Sequence, residues 1–223
     1  MAFEALPRDP SLADPLPDSP WALLARWLDE AREGSGMRNP DAMTVATVDA
    51  DGAPRARVVL CRGFDAERGE LTFYTNRRSA KGRELAAHPA ATAVFHWDAL
   101  SRQARIGGPV RWASDAVSDA YFAGRPRVSQ IAAWASEQSE PLASREALLA
   151  QLAETAARFG GLEAGDPVPR PPHWGGYVLV AERVELWVGS EGRAHDRAEW
   201  RRELPDPAAP VLPTRWRVAR LQP

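Results

Sequence analysis

From residue 42 onward the hydrophobic pattern of the chain repeats every two residues, and this constrains the fold more than any other feature. AMTVATVD (42–49), a turn at Asp51-Gly52 and PRARVVLCR (54–62) read as a β-hairpin, because alternate side chains of an extended strand fall on opposite faces. ELTFYT (70–75) and ATAVFHW (91–97) continue the pattern, with a short helix over about 80–87 between them. QARIGGPVRWA (103–113) is a strand interrupted by a double glycine, the mark of a bulge or of a close backbone approach. GGYVLV, RVELWV and RWRVARL supply late strands. Many short strands in hairpin order, without βαβ alternation, predict a mainly antiparallel barrel with peripheral helices, an α+β chain.

The helices have their own signals. Ser19 as N-cap and Pro20 in the first turn open a helix whose buried face carries Trp21, Leu24, Leu28 and Ala31 and which Gly34 ends. Ser114 caps a second helix through Phe122, stopped by Gly124 and Pro126. A third runs from near Ser144 to about Phe159, with Leu148, Leu149, Leu152 and Phe159 as its apolar stripe. Residues 162–173 form a proline-rich loop. Residues 1–19, rich in proline and aspartate, read as an arm, disordered or draped over the body, and 20–223 as a single domain.

Composition excludes several functions. Hydrophobic residues at 44% and charged residues at 26% suit a globular chain, and no apolar run is long enough to cross a membrane. Nothing resembles a secretion signal, so a cytoplasmic location is expected. A net charge of −2 exerts no long-range pull on nucleic acid. The single cysteine, Cys61, lies in an apolar strand, and the four histidines are scattered, with no metal-ligand spacing. No glycine-rich phosphate loop is present, so a phosphorylated ligand must be held by side chains and helix ends.

Four places favour an anion. YFAGRPRVSQIAAWASEQS (121–139) is rich in hydrogen-bond donors and carries one carboxylate, Glu137; the alternative is a polar loop between helices. In YTNRRSAKGREL (74–85), Ser79 caps a helix and places Lys81, the only lysine among 28 Lys plus Arg, in its first turn. There the helix dipole opposes a cation unless something negative is bound, or unless the side chain simply points into water. In GRAHDR (192–197), an extended backbone would put Arg193, His195 and Arg197 on one face, although on its own the segment reads more simply as a charged edge strand. Arg57 and Arg62 flank the apolar strand RARVVLCR. Strict alternation places them on opposite faces, so one ligand meets both only where it wraps a strand end or a bulge intervenes.

RVVL, FYTN, SAKG, HWDALSRQ, YFAGRPRVSQIAAWASEQS, HWGGY, VELW, RAHDR and a terminal RLQP together resemble the pyridoxine/pyridoxamine 5′-phosphate oxidase family, from about residue 42 to the C-terminus. The resemblance implies a Greek-key-like split β-barrel binding FMN at a homodimer interface. It assigns to FMN Arg57, Val58, Val59, Leu60, Tyr74, Thr75, Ser79, Lys81, Gln103, Gln138, Ser139, Trp187 and Arg197. Arg62, Tyr121, Arg125 and Ser129 would meet the substrate phosphate, and Arg193 and His195 would flank the substrate ring as catalytic residues. No metal is implied. The implied reaction oxidises pyridoxine or pyridoxamine 5′-phosphate to pyridoxal 5′-phosphate with O2, releasing H2O2. Two alternatives remain: a flavin oxidase for another flat substrate such as a phenazine precursor, and a non-enzymatic flavin- or haem-binding module. The chain departs from the family pattern at Arg62, where lysine is usual, and at Ala80, where an arginine usually helps to hold the FMN phosphate; either Arg77 or Arg78 substitutes for it from the preceding turn, or FMN affinity is lost.

Overall fold

A computed structural model describes residues 11–163, 165–204 and 215–223. The first hairpin forms as its pattern requires: β1 (Ala42–Val48) pairs antiparallel with β2 (Pro54–Leu60), and Met43, Val45 and Thr47 of β1 face the core. β3 (Gly63–Asp65) pairs with β4 (Glu70–Asn76). β5 (Ala90–Trp97), β6 (Arg102–Trp112), β7 (Trp174–Val180), β8 (Arg183–Val188), β9 (Asp196–Arg201) and β10 (Arg217–Leu221) complete the sheet, every registered pair being antiparallel. The main path runs β10-β9-β8-β6-β5-β1-β2, while β4 and β7 branch from it through β6.

The branch lies at the double glycine. Arg102–Gly107 of β6 pairs with β8, and Val110–Trp112 pairs with β7. Between the two registers, a Cβ on Gly108 would stand 2.1 Å from the Val180 carbonyl oxygen, and Glu182 N donates to the Gly107 carbonyl at 2.9 Å. The close approach foreseen for this segment is what lets one strand serve both arms of the split barrel.

α1 (Trp21–Gly34) covers the main core, pressing Trp21, Leu24, Trp27, Leu28 and Ala31 against a cluster that includes Met43, Phe95, Trp97 and Trp200. Burying each such large side chain contributes about 1.5–3 kcal/mol. Ser19 Oγ accepts from Trp21 N at 3.5 Å at the start of the helix, Pro20 already has helical backbone angles, and the helix includes Gly34, with Ser35 beyond it. α2 (Ala80–Ala87) follows β4. α3 (Asp115–Ala123), α4 (Arg127–Ala135) and α5 (Arg145–Arg158) enclose a smaller core of Phe122, Ile131, Ala156, Phe159, Val168 and Trp174.

Three elements differ from expectation. α4 has no counterpart in the sequence reading, because only Gln130, Ile131 and Ala135 of its nine residues are buried and its donors mask a short amphipathic period. α5 is peripheral: Leu149 is 52% exposed, and Leu148 and Leu152 are only half-buried. β9 begins at Asp196, so the strand pattern stops short of Arg193. Of the N-terminal arm, residues 1–10 lie outside the described residues. Leu12 is buried, its N–H donates to Asp196 Oδ2 at 2.8 Å, and Trp200 Nε1 donates to the Pro17 carbonyl at 2.8 Å. Of the proline-rich sequence between Trp200 and Trp216, residues 205–214 lie outside the described residues. Among the described residues no helix is long and apolar enough to cross a membrane.

Candidate functional site

β2, the end of β4, the first turn of α2 and the α3–α4 junction surround a cleft of about 920 Å³. Arg57, Val58, Val59, Leu60, Arg62, Tyr74, Thr75, Lys81, Tyr121, Arg125, Ser129 and Gln138 all line it, together with Ala120, Gly124, Pro126 and Trp174. Four of these side chains are cationic and none is a carboxylate. Arg57 and Arg62 share the cleft because β2 ends at Leu60, and Arg62 N turns back to the Thr72 carbonyl at 2.7 Å. The strand end, not the alternation, settles their relation.

At one end, α2 starts under tight constraint. Ser79 is fully buried; its hydroxyl accepts from Gly82 N at 3.3 Å and donates to the Asn76 carbonyl at 2.7 Å. That hydroxyl serves the cap and does not line the cleft. A Cβ on Gly82 would lie 2.1 Å from the Arg77 carbonyl oxygen, so the turn admits no side chain there. Lys81 is buried, and its Nζ donates to Thr75 Oγ1 at 3.2 Å. Thr75 Oγ1 in turn donates to Gln138 Oε1 at 3.0 Å. Burial, then the charge of Arg57, holds the Lys81 amine below its ordinary pKa, while Glu84 acts in the opposite direction. Arg57 Nη2 lies 2.5 Å from Glu84 Oε2. Arg77 does not line the cleft: its guanidinium stacks on Trp112 at 4.2 Å and lies 3.8 Å from Asp115. Arg78 is exposed and also outside the lining.

At the other end the wall is aromatic. Tyr74 and Tyr121 stack at 3.8 Å with planes 4° apart, and Trp174 continues the stack 5.4 Å from Tyr74. Arg125 lies 4.6 Å over the Trp174 ring. Its Nη1 is buried without a hydrogen-bond partner, and burial lowers its pKa. A guanidinium desolvated in this way, with an unused donor, is what a phosphate or carboxylate would satisfy.

The remaining candidates lie elsewhere. Gln103 of β6, Trp187 of β8 and Arg197 of β9 are direct cross-strand neighbours. His195 sits 4.7 Å from the Trp187 ring, and its Nδ1 accepts from Ser190 N at 3.2 Å. Arg197 is held by the buried Glu185 carboxylate at 2.7 Å and donates to the Gln222 carbonyl at 2.8 Å. Arg193 is exposed in a 3₁₀ turn with φ +63°, so it does not alternate with His195 and Arg197 along one strand face. Ser139, with φ +76°, follows Gln138 and is exposed. None of these residues lines the cleft in the single chain. The sequence reading missed two residues. Trp174 lines the cleft but reads as core, although HWGGY offered a signal. Glu84 touches Arg57 from outside the cleft, and nothing in its sequence context marks it.

The fold and the site together define a split antiparallel β-barrel with a cationic, aromatic-walled cleft. Residues 29–159 match the family model described as pyridoxamine 5′-phosphate oxidase, and 174–223 match the pyridoxine 5′-phosphate oxidase C-terminal dimerisation region. The chain is 53% identical over 189 residues to a pyridoxine/pyridoxamine 5′-phosphate oxidase of Azorhizobium caulinodans, covering 85% of this chain and 86% of that one. It is 48% identical over 211 residues to the same-named protein of Rubrobacter xylanophilus, covering 95% and 88%. Among solved structures, PhzG from Burkholderia lata in complex with tetrahydrophenazine-1-carboxylic acid superposes with a TM-score of 0.80 at 33% identity, covering 94% of this chain and 95% of that one. The chain is a member of the pyridoxine/pyridoxamine 5′-phosphate oxidase family.

Proposed function

We propose that the protein oxidises pyridoxine 5′-phosphate, pyridoxamine 5′-phosphate or both to pyridoxal 5′-phosphate, using FMN, with O2 as electron acceptor and H2O2 as co-product. The observation that carries this reading is the cleft itself, with Arg57, Arg62, Lys81 and Arg125 facing one volume that no carboxylate enters. The residues fit two anionic groups. Lys81, Thr75, Gln138 and Arg57 suit the FMN end, and the orphaned Arg125 donor with Tyr121, Ser129 and Arg62 suits the phosphate of a substrate. When bound, FMN supplies the hydride acceptor. The protein's part is to position the substrate and to exclude water, with the Tyr74–Tyr121–Trp174 stack as one wall.

The family and its C-terminal dimerisation region support a homodimer. In such a dimer the Gln103, Trp187, Arg193, His195 and Arg197 group of one protomer completes the cleft of the other. Arg193 then orients the substrate, and His195, whose Nδ1 accepts from the backbone, carries its proton on Nε2 when neutral and exchanges it there. Purified protein should be yellow and consume oxygen on addition of pyridoxamine 5′-phosphate. A colourless protein that takes up no added FMN refutes the proposal.

The likeness to PhzG favours a second reading, oxidation of a phenazine precursor. Tyr121, Arg125 and Ser129 weigh against it, since a phosphate clamp has no partner on such a substrate. Steady-state assays with both vitamin phosphates and tetrahydrophenazine-1-carboxylic acid separate the two readings. Bound flavin without turnover of any of them would indicate a non-enzymatic module.

A further inference from the structure

Arg57 and Lys81 present two cations to the cofactor end of the cleft, and a single carboxylate stands behind them. Glu84 is buried on α2, outside the cleft lining. Its Oε2 accepts from Arg57 Nη2 at 2.5 Å and from the Thr47 hydroxyl. Arg57 Nη1 donates to Thr47 Oγ1 and, at 3.2 Å, to the Val45 carbonyl. The guanidinium is therefore fastened to β1 and α2 at once. Lys81 precedes Glu84 by three residues on the same helix, the spacing at which side chains share a face. No ion pair of Lys81 is formed among the described residues, and its nearest polar partner is neutral Thr75.

We propose that Glu84 is a positioning residue for anion binding: it fixes Arg57 against β1 and balances the charge of Lys81 without touching the ligand. The proposal rests on the FMN reading of this end of the cleft. Without the Glu84 charge, Arg57 would lose its anchor, and the two cations would repel each other in a poorly solvated place. The amine would then lose its proton at lower pH, and with it the charge that attracts a phosphate. The groups that act on Lys81 are Arg57 from β2, Glu84 from α2 and Thr75 from β4; Arg62, Tyr74, Tyr121 and Arg125 line the same cleft. Arginines keep their charge across the accessible pH range, so the amine is the group whose titration reports on Glu84.

Because Lys81 is the only lysine in the chain, protein labelled with ¹³C-lysine gives one ε-methylene signal, which can be titrated without assignment. In apoprotein, Glu84→Gln should lower the titration midpoint of that signal by about one pH unit. The alkaline loss of FMN affinity, read by flavin fluorescence quenching, should shift by the same amount. Ionisation of the flavin ring is common to all variants and cancels in the comparison. Glu84→Asp should shift both readouts less, in the same direction, and it carries the test if Glu84→Gln does not fold. A midpoint and an alkaline limb that both stay in place overturn the proposal while leaving the FMN reading intact. A wild-type protein that binds no FMN at any pH overturns that reading and the proposal together.

Discussion

Arg125 shows how much of this site is carried by single side chains. Its ring contact with Trp174 and its unpartnered Nη1 give it a fixed orientation and an unused donor. Arg125→Lys keeps the charge but loses the planar stack and the paired donors. We expect KM for the vitamin phosphates to rise at least about tenfold, as loss of a charge-assisted hydrogen bond implies. FMN content, measured by absorbance, should be unchanged. Lys81 gives a pH signature in apoprotein. Burial holds its folded-state pKa below the ordinary 10.5, so between that lowered value and 10.5 the unfolded chain binds more protons. Stability should therefore rise with pH across that window, which urea midpoints measured at successive alkaline pH values will show. FMN affinity should fall over the same window, because a phosphate prefers the protonated amine. The cations and donors of the cleft were legible in the sequence because few carboxylates accompany them. Glu84 was not, since a glutamate five residues beyond a cap looks like any solvated helix residue until its burial is seen.

Among the elements, two tightly packed glycines shape the frame of the site, Gly82 beside Lys81 and Gly108 at the sheet's branch. Gly82→Ala would drive a Cβ into the Arg77 carbonyl and disturb the turn that presents Lys81. We expect a stability loss of about 1–3 kcal/mol, the usual range for overpacking, accompanied by weaker FMN binding. Gly108→Ala would collide with the Val180 carbonyl where the sheet divides. It should destabilise the fold by a similar or larger amount, yet leave the pH dependence of FMN binding unaltered; denaturant melts and fluorescence titrations test both statements. The strands were readable because a period of two survives wherever one face is buried, as in β1. α4 was not readable, because its short buried face includes the polar Gln130, whose amide donates to the Phe122 carbonyl at 2.9 Å. The apolar stripe assigned to α5 failed at Leu149 because the helix touches the body only along a narrow seam.

At the scale of the whole molecule, the candidate residues fall into two groups that one chain does not bring together. The cleft holds Lys81 and Arg125, while β8, β9 and the turn before β9 hold Trp187, Arg193 and His195. No periodicity in a single sequence encodes contact between two copies, so only the family resemblance implies that the two groups meet. The dimeric reading makes a sharp prediction. Arg125→Ala and Arg193→Ala proteins, each nearly inactive, should regain activity when unfolded and refolded together. With random pairing in a two-fold dimer, about a quarter of the sites would be intact. Mixtures that remain as inactive as their parents would place both residues in the same chain's site.

The solitary, buried Lys81 also bears on self-inflicted damage. Aldehydes condense with primary amines, and an enzyme releasing an aldehyde normally meets its own product on dozens of surface lysines. Here the cationic surface is built from arginine, which forms no such imine under ordinary conditions, and the one lysine lies against the cofactor end of the cleft. Holoenzyme treated with excess pyridoxal 5′-phosphate and then borohydride should therefore acquire label at its terminal amine and almost nowhere else, as peptide mass spectrometry would show. Apoprotein should acquire a second label, on Lys81.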